Sequence, residues 1–146
     1  MKYLLTMLLG FFILNANTTD LTPLNKYLEK HNVKKDLTAA YYFSSRCVAI
    51  YAYSAGLMKN PSMKDLAAMF ELYAAMHYSI AETASTAFGD NKEVAEKKHS
   101  KLLTQMNEKY IELGNENYVA KGEYMTDTHL QDIKVCSDYI KNLDKE

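Results

Sequence analysis

The 146 residues contain no tryptophan, and a single arginine stands against sixteen lysines. Two prolines and five glycines are too few for collagen-like chains, Pro/Gly-rich low-complexity segments or long structureless linkers. Charge of either sign is not in excess: the formal net charge is −1. The clustered basic surface by which nucleic-acid-binding domains announce themselves is therefore not expected. Motifs are missing as well. There is no C-x-x-C-H for haem attachment, no G-x-x-x-x-G-K-[ST] phosphate loop, no H-E-x-x-H zinc helix and no G-x-S-x-G nucleophile elbow. The expectation is a single domain that is not an enzyme, takes no cofactor and binds no nucleic acid.

The chain opens with Met1-Lys2, then runs apolar from Tyr3 to Leu14 and leaves through Asn15-Ala16-Asn17-Thr18. A short positive start, a short apolar core and a polar exit containing Ala make a Sec-type signal peptide, with cleavage expected near Ala16. The core is shorter than the about 20 residues a membrane-spanning helix needs. Export gives the two cysteines a meaning. Cys47 and Cys136 form an even pair in an oxidising compartment and read as one disulfide. The rarity of arginine and tryptophan beside abundant Lys, Asn and Tyr is the coding bias of an AT-rich genome.

Residues 17–146 read as one helical domain, with helices near 23–31, 37–58, 63–88, 91–113 and 129–143. Thr22 and Pro23 suit the start of the first, Asp36 caps the second, and Pro61 stops it. Gly89 follows the third. Gly114 ends the fourth, and Thr128-His129-Leu130-Gln131 is a T-x-x-Q capping box for the last. Between Leu37 and Met58 the only charge is Arg46; between Leu66 and Phe88 only Glu71 and Glu82 are charged. Few of these residues are Leu, Ile, Val or Phe, so the pair reads as buried helices of a bundle and not as a membrane hairpin. The expected fold is all-α: an antiparallel four-helix bundle with a short extra N-terminal helix and the Cys47–Cys136 bridge between its first and last long helices.

Helical rise places residues by height. About the turn near residue 60, numbers summing to about 121 lie level; about the turn near 89–90, numbers summing to about 179 do. Arg46, Glu71, His77, Glu82 and His99 then gather in one buried polar network near the disulfide. The lone guanidinium needs a carboxylate, with Glu71, Glu82 and Asp132 as candidates, and the histidines are expected to bond to tyrosine hydroxyls. A sharper alternative uses His77, His99 and Glu82 to hold a metal, or the histidines to hold haem. Glu96-Lys97-Lys98-His99 is one Glu-x-x-His, but a di-iron bundle needs a second copy. His31 and His129, at polar helix ends, are expected on the surface.

The segment YYFSSRCVAIYAYSAGLM, with Arg-Cys inside a Tyr- and Ala-rich helix and a second cysteine in the last helix, resembles small exported proteins of AT-rich marine bacteria and their phages. The resemblance implies no activity and assigns no functional residue. The chain is therefore expected to be a periplasmic or secreted protein-binding module, without stable membrane insertion. The alternative is a small-ligand, metal or haem carrier using His77 and His99. The two helices apolar nearly all round keep a homodimer among the expected assemblies.

Overall fold

The computed structural model describes residues 21–143; the expected signal segment lies outside them. Five helices and no strand occur among these residues: α1 Leu24–Lys30, α2 Leu37–Leu57, α3 Lys64–Thr86, α4 Lys92–Lys121 and α5 Asp127–Leu143, with a short 3-10 turn at Pro61–Met63 before α3. The fold is the expected all-α bundle, and a Cys47–Cys136 disulfide joins α2 to α5. None of these helices is long and apolar enough to cross a membrane.

The caps explain most boundaries. Asp36 Oδ1 accepts from the Thr38 and Ala39 amides at 2.9 and 3.1 Å and opens α2. Asn91 Oδ1 accepts from the Val94 amide at 3.0 Å and opens α4. Gly89 and Gly122 adopt φ of 80° and 78°, the left-handed conformation that ends a helix cheaply only at glycine.

Helix α2 is the hub. Twelve of its 21 residues are buried, against five of 23 in α3 and five of 30 in α4. It packs against α3, α4 and α5 at once, while α1 lies on α5. A helix packed on three neighbours keeps only a narrow exposed strip, here small or uncharged residues such as Thr38, Ala52 and Gly56, and Leu37–Met58 carries one charge. Its core contacts are aromatic and small: Phe43, Ile50 and Tyr51 are fully buried among Ala39, Ala49 and Cys47.

Two boundaries and one cap differ from those read in the sequence. Helix α4 does not stop at Gly114 but continues to Lys121. Gly114 is buried inside it, and a Cβ there would stand 1.9 Å from Tyr53 Oη and 2.8 Å from the Tyr124 carbonyl. The glycine is a seat for the Tyr53 ring, whose hydroxyl donates to Tyr124 O at 2.9 Å. Helix α5 begins two residues earlier than the T-x-x-Q pattern implies. Its cap is Thr126, whose Oγ1 accepts from the His129 amide at 3.3 Å while its carbonyl accepts from Leu130 at 3.1 Å. Finally, no side chain caps α1 locally; the Leu24 amide donates to Asp132 on α5 instead, at 2.7 Å.

Two glycines test this reading in opposite directions. Gly114→Ala should destabilise the protein by about 1–3 kcal/mol, the usual cost of forcing atoms into a filled core. Gly56→Ala, where a Cβ meets nothing within 4 Å, should stabilise it by about 0.5–1 kcal/mol. Urea unfolding of both variants measures the difference; equal effects would remove the role given to Gly114.

Candidate functional site

The deepest polar group is centred on Asp132. Its Oδ2 accepts from Arg46 Nη2 and, at 2.5 Å, from the Tyr110 hydroxyl, while Oδ1 takes the Leu24 amide at 2.7 Å. Arg46 spends two more donors, Nη1 on the Thr22 carbonyl at 2.6 Å and Nε on Tyr110 Oη at 3.2 Å. One carboxylate on α5 thus collects α1, α2 and α4. The Arg46 and Asp132 side chains are 1% and 0% exposed. Burial works against the guanidinium charge, and Tyr110 and Asp132 outweigh it, so the Arg46 pKa lies above its ordinary value. Burial also drives the Tyr110 phenol well above its ordinary value. An ion pair this sealed and this fully bonded reaches no ligand in solvent; it orders the fold.

The sequence named Asp132 third among the partners of Arg46. Glu71 and Glu82, named first, lie exposed on α3. The expected single network of Arg46, Glu71, His77, Glu82 and His99 is instead three separate places. Arg46 turns toward α4 and α5, away from the two glutamates.

His77 is fully buried on α3 and packs against the disulfide. Its Nε2 lies 3.2 Å from the Cys136 carbonyl, which only accepts, so Nε2 carries the proton and donates. Nδ1 keeps its lone pair and has no hydrogen-bond partner. The rings of Phe43, Tyr51 and Tyr139 stand 5.8–6.0 Å from it. Burial lowers the His77 pKa to about 4, opposed by its bond to Cys136.

His99 is buried elsewhere, between Tyr78 at 4.7 Å and Tyr41 at 5.5 Å. Both tyrosines meet it ring to ring, not through their hydroxyls. Burial lowers its pKa and Glu82 opposes that. The cavity beside it, lined by Tyr78, Glu82, Ser85 and His99, holds about 10 Å³, room for about one water and none for haem. Among the described residues, the three-residue group whose ligand atoms converge is Cys47, His77 and Cys136. It includes neither His99 nor Glu82, so the structure does not assemble the metal set read from the sequence.

His129 is a correction: expected on the surface, it is fully buried. Thr126 and His129 form a capping box in which the imidazole takes the role of the usual glutamate. Nδ1 accepts the Thr126 amide at 3.1 Å, and Nε2–H donates to the Tyr110 carbonyl at 3.0 Å. Tyr53 stacks on its ring at 4.8 Å. Thr-x-x-His at the start of an apolar-periodic segment was the signal that would have found it. His31 is exposed and stacks on Tyr27 at 4.2 Å.

Neither a protein-family model, nor a curated protein, nor a solved structure matches the chain.

Asp132→Ala should cost about 3–5 kcal/mol, because it strands a buried guanidinium. Arg46→Met combined with Asp132→Leu should recover much of that loss in urea unfolding. The histidines predict a pH slope. With a folded pKa of about 4 for His77, the unfolded chain, near 6.5, takes up the proton first. Stability is then complete above pH 6.5, falls by about 3 kcal/mol as pH drops toward 4, and gains no further slope from this group below that. His99 and His129 act in the same direction. His77→Phe should flatten the slope between pH 6.5 and 4; an unchanged slope would contradict the assignment.

Proposed function

We propose that this is an exported, non-enzymatic protein-binding module of the cell envelope, and that its binding face is the outer side of α3. The carrying observation is the row Leu66, Met69, Leu72 and Met76, exposed by 39%, 38%, 59% and 38%. Spaced three, three and four residues apart, these side chains follow one side of the helix over about 15 Å. Exposed apolar residues scattered singly need no explanation, but a contiguous row marks an interaction surface. Methionine adds to the case, since its flexible thioether repacks against differing partners.

The occupant that fits is an amphipathic helix of another protein, laid along α3 by its apolar face. A straight row about three turns long offers such a helix two or three anchor positions. Export is supported by the Met1–Thr18 pattern and by the use of both cysteines in a disulfide. The saturated Arg46–Asp132 interior supports a role through the surface.

A photo-crosslinking amino acid in place of Leu72, introduced in the protein's native cells, tests this. The expected product is one adduct heavier than the chain by a mass other than its own, lost when Met69→Asp is added. Leu72→Asp should leave thermal stability within about 0.5 kcal/mol, as an exposed substitution does. An adduct of twice the chain mass, with a dimer in sedimentation, would replace the foreign helix by a second copy. No adduct would overturn the reading.

A further inference from the structure

The disulfide has a third member. A ring nitrogen of His77 and the sulfurs of Cys47 and Cys136 all lie within 4.8 Å of one another. The three come from α3, α2 and α5, and all three side chains are fully buried. Three ligands held on one zinc at about 2.0–2.3 Å stand roughly 3.5 Å apart, so the group needs small adjustments and no rearrangement. Its second feature is independent of that proximity. Metal-bound histidines commonly donate their other N–H to a backbone carbonyl, which fixes the tautomer and aims the lone pair. His77 does this: Nε2–H is committed to Cys136 O, and Nδ1 has a lone pair and no partner among the described residues. A buried imidazole nitrogen left unpaired costs about 1–3 kcal/mol and calls for an explanation.

We infer that the reduced protein holds one thiophilic d10 cation, zinc(II) or copper(I), between Cys47 Sγ, Cys136 Sγ and His77, and that the disulfide is the cation-free state of the same site. The chemistry balances. A dithiol passes two electrons and two protons to the S–S bond, becomes a disulfide itself, and leaves two thiols. The incoming cation displaces both thiol protons to solvent as the two metal–sulfur bonds form. Reoxidation by disulfide exchange breaks those bonds and releases the ion. Two thiolates, one imidazole and the aromatic walls of Phe43, Tyr51 and Tyr139 suit a soft cation and offer no carboxylate to a hard one. Zinc(II) makes the site neutral; copper(I) is content with three ligands. Titration tells them apart.

The purified protein, reduced with dithiothreitol under nitrogen and freed of reductant, is titrated with zinc(II), cadmium(II) and copper(I). The expected result is one ion per chain, a sulfur-to-cadmium charge-transfer band and a raised Tm, with no uptake by the oxidised protein. His77→Phe should weaken binding at least about tenfold, while His99→Phe should leave it unchanged. Should His77→Phe not fold, X-ray absorption of the wild-type zinc complex decides, with two sulfur neighbours and one nitrogen expected. Sulfur neighbours alone, one ion shared by two chains, or no uptake by reduced and helical protein would overturn the inference. So would a reduced chain that loses its helical circular dichroism and does not regain it when the cation is added.

Discussion

The Asp132 carboxylate is the acceptor on which the arrangement of the helices depends. Its two oxygens receive a backbone amide from α1, a guanidinium from α2 and a phenol from α4. Taking two charges out of water costs several kcal/mol each, so such a pair adds little net stability over well-packed hydrophobic side chains. What it adds is discrimination. A bundle that slid α5 by one turn, or rotated α2 by one face, would bury an unpaired guanidinium, at a cost of about 3–5 kcal/mol. Only arginine can do this here. Lysine, abundant in the chain, has a single point of charge, whereas Arg46 directs three donors along three lines to Thr22, Tyr110 and Asp132.

The covalent link reinforces the ionic one because the two are adjacent on both helices. Arg46 and Cys47 are neighbours on α2, and Asp132 and Cys136 are one turn apart on α5. In the chain-entropy picture, closing a separation of 89 residues removes about 4–5 kcal/mol of freedom from the unfolded chain. The bridge therefore acts mainly on the unfolded state and the ion pair on the choice among folded ones. Together they hold α2 against α3, α4 and α5, with a 7-residue α1 pinned at its N-terminus by a carboxylate 108 positions away.

Heights were legible in the sequence, and rotations were not. Residues placed level by summing numbers do meet: Phe43 with His77, Tyr51 with Phe70 and Tyr78 with His99 are ring neighbours at 4.7–5.8 Å. Rise per residue is fixed by backbone geometry, so level follows from counting. The direction a side chain takes around the axis is read from an amphipathic stripe, and α2 has none because its few exposed positions hold Thr38, Ala52, Gly56 and Leu57, with no charge to mark them. Height alone grouped Arg46 with Glu71 and Glu82 of α3 ahead of Asp132, when its side-chain partners lie on α4 and α5. Gly114 failed for a related reason. Local propensity marks glycine as a stop, but the tertiary need to seat Tyr53 overrides it. His129 looked polar and terminal, and its burial follows from a cap made with an imidazole that stacks against the core.

The two unpaired imidazole nitrogens sharpen the contrast between the parts of the interior. Both Asp132 oxygens and the Tyr110 hydroxyl are bonded, as are all three guanidinium nitrogens of Arg46, and His129 is bonded through both nitrogens. Nδ1 of His77 and Nε2 of His99 are the imidazole atoms left without one among the described residues. For His99 the small cavity beside it supplies room for a water, and the neighbouring Glu82 faces solvent, so that site opens outward. His77 has no such outlet: it is enclosed by three aromatic rings and a disulfide. A phenylalanine there would fill similar space without stranding a nitrogen. What an imidazole has and a phenyl ring lacks is the N–H that donates to the Cys136 carbonyl and, on its other nitrogen, a lone pair that no protein donor among the described residues occupies.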